Sequence, residues 1–524
     1  MRTTALVVLI VAGVLAGSLF VFSDLALSQQ SRPGRSAVGP QRDSAKRRNL
    51  RGATRGSKPQ DGFTRQRRGR GGGRRTDSRG GPAHAPQTDV PVHPVDVILG
   101  RPTDNSITMS VLAYLDMRGQ VSYGTRKGQP PNPTPPTRLS AGEPSEFVID
   151  SLQPGTRYYY RFAYQAGDSS GLVDGTFHTQ RPQGSSFVFT IQADSHLDPN
   201  TSPEVYANTL RNVLADGPDF HVDLGDTFMT GKYQGDNPTE LYLAQRYYLG
   251  LLCHSAPLFL VLGNHDGEPG GRGLERTGAV SLRKKYFPNP YPDVSYTGSR
   301  REEAGVGLLQ NYYAWEWGDA LFVVLDPFWY SARRRGESND NWHRTLGGDQ
   351  YSWLQQALEA SQARFKFVFI HHLVGGSDSG GRGGIEAARF FEWGGRGLDG
   401  RYEFDSRRPG WERPIHKLLV DNKVSVVFHG HDHFFAKQDL DGIVYQLVPQ
   451  PAHARYGNIR TAAEYGYLAG DILSGSGHVR VTVTPNKAKI DYIPSVLPKD
   501  ETAKHRNRSV AHTYCLNRTD SVAR

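Results

Sequence analysis

An α/β fold preceded by a small all-β domain follows from three features of the 524-residue sequence. From about residue 185 to 496, apolar runs of strand length alternate with segments of helical period. Five of those runs end in a short cluster drawn from Asp, His and Asn. Between about residues 89 and 181 the runs are all short and strand-like, and Gly and Pro clusters separate them. The first pattern predicts a mostly mixed sheet covered by helices. The last predicts a β-sandwich.

The chain opens on a leader-like segment. Arg2 precedes the apolar stretch Ala5–Phe22, interrupted only by Ser18, and Ala26-Leu27-Ser28 supplies small residues where a leader is cut. Residues 1–28 therefore read as a signal peptide or a membrane anchor, the run being at the short end for a span. Either reading predicts an exported protein: periplasmic, secreted, or held on the outer face of a membrane. Residues 29–87 are Arg, Gly, Ser and Pro with almost no apolar side chains, a composition that predicts a disordered linker. This segment holds 16 basic and 3 acidic residues, so the chain's net charge of +10 describes the linker and the remainder carries −3. Arg-Gly clusters such as Arg67-Arg68-Gly69-Arg70 suit either contact with an anionic polymer or surface, or a solvated spacer. Two cysteines exclude a disulfide scaffold and a Cys-based zinc finger. A single long apolar stretch excludes a polytopic membrane protein.

Within 89–181, strands are expected at Val95–Leu99, Ser106–Val111, Glu146–Ile149 and Tyr158–Tyr164, with a turn at Gln153-Pro154-Gly155-Thr156. From 185 to 496, strands are expected at Phe187–Ala193, Phe220–Leu224, Pro257–Leu262, Phe365–Ile370 and Val424–Phe428. Hairpins are expected at Tyr313–Trp317 with Leu321–Leu325, and at Val479–Val483 with Ala488–Tyr492. Helices are expected at Pro203–Ala215, Thr239–Leu252, Gln350–Ala360 and Pro414–Val420. Residues 497–524 read as a polar tail extended over the surface. Export would permit Cys253 and Cys515 to pair.

The chemistry gathers where strands end. The five clusters are Asp194-Ser195-His196, Gly225-Asp226, Gly263-Asn264-His265-Asp266, His371-His372 and His429-Gly430-His431-Asp432-His433. Ligands of open α/β sheets sit at the carboxyl ends of strands, so five such tips predict one convergent site. Carboxylate, imidazole and amide oxygens without thiolate suit first-row divalent ions. Alternate residues of an extended segment point the same way, which predicts that Asp194 and His196 share a side and that His431 and His433 do too. Asp226, with two oxygens, can bridge. About seven ligands are too many for one tetrahedral ion and suit two.

In order, these clusters resemble the signature of calcineurin-like metallophosphoesterases, over about Phe187 to His433. The resemblance implies a four-layer α/β/β/α sandwich holding two metal ions. It implies that Asp194, His196, Asp226 and His433 hold one ion, that Asp226, Asn264, His371 and His431 hold the other, and that His265 is the catalytic histidine near the leaving group. Leu152–Tyr160 resembles the fibronectin type III pattern, and a sandwich before the catalytic domain is similar to the arrangement in purple acid phosphatases. Two departures from those enzymes stand out: the first motif ends in His196, and Met229 stands where they carry an iron-binding tyrosine. The metals are left open among Fe, Mn and Zn.

The expected reaction is hydrolysis of a phosphate-ester substrate, monoester or diester, by a hydroxide bridging the two ions. Asp266 has two readings: it orients His265, or it caps backbone amides in its loop. His371 is expected as the ligand because it directly follows its strand, with His372 as fallback. Arg382, Arg389, Trp393 and Arg396 in the segment 375–400 are expected either to wall the site or to lie in a plain insertion, and 267–278 is read as a second long loop. Two other functions fit the basic segment 29–87: a surface-binding protein that uses it with the β-sandwich, or a phosphodiesterase acting on nucleic acid that it holds. No specific protein partner is predicted.

Overall fold

The computed structural model describes residues 85–128, 131–233, 237–269, 276–332, 340–455 and 459–517. The predicted export segment and nearly all of the basic linker lie outside them. Among the described residues no helix is long and apolar enough to cross a membrane.

The N-terminal β-region has two antiparallel sheets. One joins Val95–Gly100, Ile107–Ala113 and Pro144–Ile149. The other is built on Met117–Gly124, Arg157–Ala166 and Ser169–His178. Leu99, Met109, Val111, Val121 and Phe162 close the core between them. Tyr158 accepts the backbone N–H of Gln153 on its phenol oxygen at 2.9 Å, tying the strand to the turn before it. Val95–Gly100 and Ile107–Ala113 lack the alternation of a half-exposed sheet because both faces are covered. Their other side, through Ile98 and Leu112, joins Leu249 and Leu252 of the helix Thr239–Cys253. At this seam the buried Arg246 guanidinium donates to the carbonyls of Ser110 and Tyr286, and Tyr160 donates to the His254 carbonyl at 2.6 Å.

The next domain stacks two sheets. The six-stranded sheet runs Leu258–Leu260, Phe220–Asp223, Phe187–Gln192, Gly477–Thr484, Lys487–Pro494, His512–Asn517. The first three strands are parallel. The eight-stranded sheet places Ala320–Val324, Phe365–Phe369, Val426–His429 and Ile443–Leu447 in parallel at its centre. Phe189, Phe220, Phe322, Phe367 and Phe428 fill the space between the sheets. Helices Pro203–Asp216 and Thr239–Cys253 cover the first sheet, and Gly348–Ala360 and Ile415–Asp421 cover the second. The result is the expected four-layer α/β/β/α sandwich, with the all-β region before it.

Several expectations change. The tail contains a strand, His512–Asn517, which pairs antiparallel with Lys487–Pro494. Its alternation explains this: Tyr514 and Leu516 pack on the core while Thr513 and Cys515 face out. Cys253 is buried and Cys515 exposed, and both are free thiols. Residues from Arg276 belong to a helix, Arg276–Tyr286, rather than to a loop. Phe435–Leu440 and Ile443–Leu447 form an unforeseen hairpin whose turn, Asp441-Gly442, has φ of 50° and 81°, the left-handed pair that tight hairpins require.

Candidate metal centre

Five strands of two sheets deliver the predicted residues to one place. Phe187–Gln192, Phe220–Asp223 and Leu258–Leu260 lead into Asp194, Asp226 and Asn264, and Phe365–Phe369 and Val426–His429 lead into His371 and His431. The ligand-type atoms fall into two groups, each within 4.8 Å: Asp194, His196 and His433, and Asp226, His371 and His431. Asp226 Oδ2 lies 3.6 Å from His196 Nε2 and 3.4 Å from His371 Nε2, so one carboxylate oxygen faces both groups. Asp194 Oδ1 lies 3.6 Å from His196 Nε2 and 3.5 Å from His433 Nε2. Asn264 Oδ1 approaches His371 Nε2 at 3.1 Å.

The backbone that achieves this is not extended. Asp194, His196, Asp226, His431 and His433 have φ of 60°, 53°, 54°, 77° and 68°. This left-handed region costs a side-chain-bearing residue energy and clusters at functional sites. It overturns the alternation argument for the last motif: His431 and His433 belong to different groups. The left-handed backbone at both histidines breaks the two-residue period.

Hydrogen bonds fix the rings. His371 Nδ1 donates to the Leu224 carbonyl at 2.8 Å, and His196 Nδ1 faces the Asp198 carboxylate at 3.4 Å. Both therefore turn Nε2 inward. Neutral His371 then sets a lone pair against two acceptors, Asn264 Oδ1 and Asp226 Oδ2. Burial opposes protonation there, but the Asp226 and Asp194 charges outweigh it and raise the His371 pKa to about 9. A cation would displace that proton. Asp194 Oδ1 and His196 Nε2 are buried without hydrogen-bond partners, which costs about 1–3 kcal/mol for each group. Shared coordination would remove the cost. Oxygen and nitrogen donors without thiolate fit two first-row cations, and the set does not choose among Fe, Mn and Zn. Met229 is fully buried and offers no phenol oxygen.

His265 stands at the rim. Its side chain is 35% exposed and Nε2 lies 4.0 Å from Asp226 Oδ2. Burial pushes its pKa down, against the pull of Asp226. Asp266 takes the capping role rather than the orienting one: its oxygens accept the amides of Asp226, Thr227, Phe228 and Gly263. Burial, joined by the Asp226 charge, pushes its carboxyl up to about 7, while the Gly263 and Phe228 amides pull it back. His372 lies outside both groups; its Nε2 accepts from Arg344 at 3.0 Å. Of the four residues in 375–400, only Arg382 reaches the motif histidines, through Asp432 at 2.9 Å. Trp393 is buried and donates to the Tyr445 hydroxyl, Arg389 lies over Phe390, and Arg396 donates to Gly400. Sequence reasoning passed over Asp198, whose spacing two residues after His196 was a usable signal. It could not have found the Leu224 carbonyl, since every residue has one.

The family model for calcineurin-like phosphoesterases matches residues 187–435. Among solved structures, PhoD superposes with a TM-score of 0.57 at 15% identity, over 80% of this chain and 90% of that one. The purple acid phosphatase PPD1 from yellow lupin (Lupinus luteus) seeds gives 0.52 at 13% identity, over 80% of this chain and 74% of that one. No curated protein sequence matches the chain.

Proposed function

Residues 187–435 being a calcineurin-like phosphoesterase domain, we propose that the chain is an exported, dinuclear-metal hydrolase of phosphomonoesters or phosphodiesters. The observation that carries this reading is Asp226 Oδ2, 3.6 Å from His196 Nε2 on one side and 3.4 Å from His371 Nε2 on the other. Asp194, His196, Asp226 and His433 would hold one cation, and Asp226, Asn264, His371 and His431 the other. Bound there, the cations would supply charge neutralisation for a phosphate and acidify a water.

The protein's own groups do the rest. Asp226 fixes the spacing of the two halves, because its carboxylate is itself held by the His265 amide at 2.7 Å. His265, half-exposed and with its pKa held down by burial, keeps one N–H to donate to a phosphoryl oxygen. Its imidazole is also the nearest proton carrier to the leaving group in this reading. Asp266 holds the loops that present Asp226 and Asn264 without touching substrate. The same reading assigns residues 1–28 to export, 29–87 to a linker, 89–181 to a fibronectin type III-like sandwich and 185–496 to the catalytic domain.

The test is hydrolysis of paired chromogenic phosphomonoester and phosphodiester substrates after loading with Mn, Zn or Fe. The same assays are run on Asp226→Ala and His265→Ala. Metal-dependent turnover lost in both variants supports the reading, and the ester ratio assigns the substrate class. Turnover that survives in Asp226→Ala would refute it.

A further inference from the structure

His431 is oriented unlike the other histidines of the site. Its Nε2 lies 3.2 Å from the Gly380 carbonyl. A carbonyl only accepts, so Nε2 carries the proton and Nδ1 is left with the lone pair. His371 and His196 have the reverse arrangement, with Nδ1 held from behind. Like the Leu224 carbonyl that holds His371, the partner of His431 comes from a distant segment, here the loop around Gly380.

That loop is fastened at several points. Asn341 Nδ2 donates to the carbonyls of Gly375 and Asp378 at 2.7 and 2.6 Å. Arg344 donates to the Ser379 carbonyl at 3.0 Å while also meeting His372 Nε2. Asp432, between the two motif histidines, receives the Arg382 guanidinium on Oδ1 at 2.9 Å. Its Oδ2 receives the Gly383 amide at 3.1 Å and the Tyr467 hydroxyl at 2.8 Å. Glycine is required for the path: at Gly381 φ is 89° and a Cβ would come within 2.3 Å of Arg344 Nη1.

We infer that the loop Ser377–Gly383 is a positioning element for the second cation. Its Gly380 carbonyl selects Nδ1 as the His431 atom that faces the cluster, and the Arg382–Asp432 pair is the latch that keeps the carbonyl there. Asp432 thereby gains a role in the motif that neither coordination nor proton transfer gives it. Outer partners of metal-bound histidines change metal affinity by about 10–100-fold when removed. The inference rests on the two-cation reading. If the unmodified chain binds fewer than two ions, that reading fails. If it binds two ions while His431 meets its cation through Nε2, only the role given to the loop fails.

Two measurements test it, neither needing turnover. The chain with 15N-labelled histidine is loaded with 113Cd, and metal–nitrogen couplings are read by NMR. Coupling of His431 through Nδ1, beside His371 through Nε2, is expected; coupling of His431 through Nε2 overturns the inference. Separately, Mn2+ binding to the metal-free chain is followed by calorimetry in Arg382→Gln and Asp432→Asn. The binding step that His371→Ala abolishes should weaken by about 10–100-fold in both, and the other step by less than about threefold. Two unchanged steps, or two equally weakened ones, would overturn it.

Discussion

Asp266 Oδ2 accepts the backbone N–H of Asp226 at 3.0 Å, and Asp226 Oδ1 accepts the backbone N–H of His265 at 2.7 Å. The two loops are thus locked to each other reciprocally, each carboxylate gripping the other's backbone. Asp226 has a φ of 54°, a conformation that persists only where its surroundings over-determine it. Asp266→Asn turns an amide NH2 against amide donors at a fully buried position. Each buried donor left unsatisfied costs about 1–3 kcal/mol, so the variant should lose about 2–4 kcal/mol. The urea midpoint of the metal-free protein checks this. A loss under about 0.5 kcal/mol would mean that Asp266 is not what holds the loops.

Metal content tests the proposal that the Asp226 carboxylate serves both cations. Asp226→Asn removes an oxygen that both groups face, whereas Asn264→Ala and His433→Ala each remove a donor proposed for one cation only. Elemental analysis after dialysis should find two ions in the unmodified chain, about one in each single-group variant, and fewer than one in Asp226→Asn. Two ions retained by Asp226→Asn would contradict the assignment of its carboxylate to both.

His265 lies outside both groups of ligand atoms. His265→Ala should therefore keep both ions and lose turnover, by about 10²–10⁴-fold in kcat, the range for a positioned proton-transfer group. KM should change little. A variant that loses metal together with activity would move His265 among the ligands.

The five chemical clusters were legible because each follows an apolar strand, and strands register in single-sequence patterns. The grouping of His431 with His371 was not legible from spacing. It depends on two left-handed residues, and neither histidine advertises that conformation. Phe435–Leu440 was hidden by Lys437 and Asp439, which read as loop but sit on a strand covered on one face. Its Asp441-Gly442 turn was the overlooked cue. His512–Asn517 was hidden by a polar setting, although its Tyr and Leu alternate correctly. The hold on His431 was beyond sequence reasoning, because Gly380 acts through a carbonyl and its place is set by Asn341, Arg344 and Asp432, far apart in the chain.

Stability should fall on acidification through a histidine that takes no part in the site. His221, on the strand Phe220–Asp223, is fully buried. Burial, with His478 nearby, pushes its pKa down from 6.5 to about 3. Its Nδ1 meets the Thr190 hydroxyl at 2.9 Å, and Nε2 is buried without a partner. Between pH 6.5 and about 3 the unfolded chain binds a proton that the folded chain refuses. Stability therefore rises with pH across that window, and this group adds no slope above it. The contribution is at most about 1.4 kcal/mol per pH unit. His478 is also depressed by burial, but its partner Asp216 pulls the other way, so His221 carries the cleaner signal. His221→Phe removes the titration and keeps a ring in the same buried place. Urea midpoints of both proteins, taken in chelator from pH 7.5 to 4.5, should differ by a gap that is constant above 6.5. Below 6.5 the gap should shift steadily in favour of the variant. Parallel curves over the whole range would show that His221 is protonated as readily folded as unfolded.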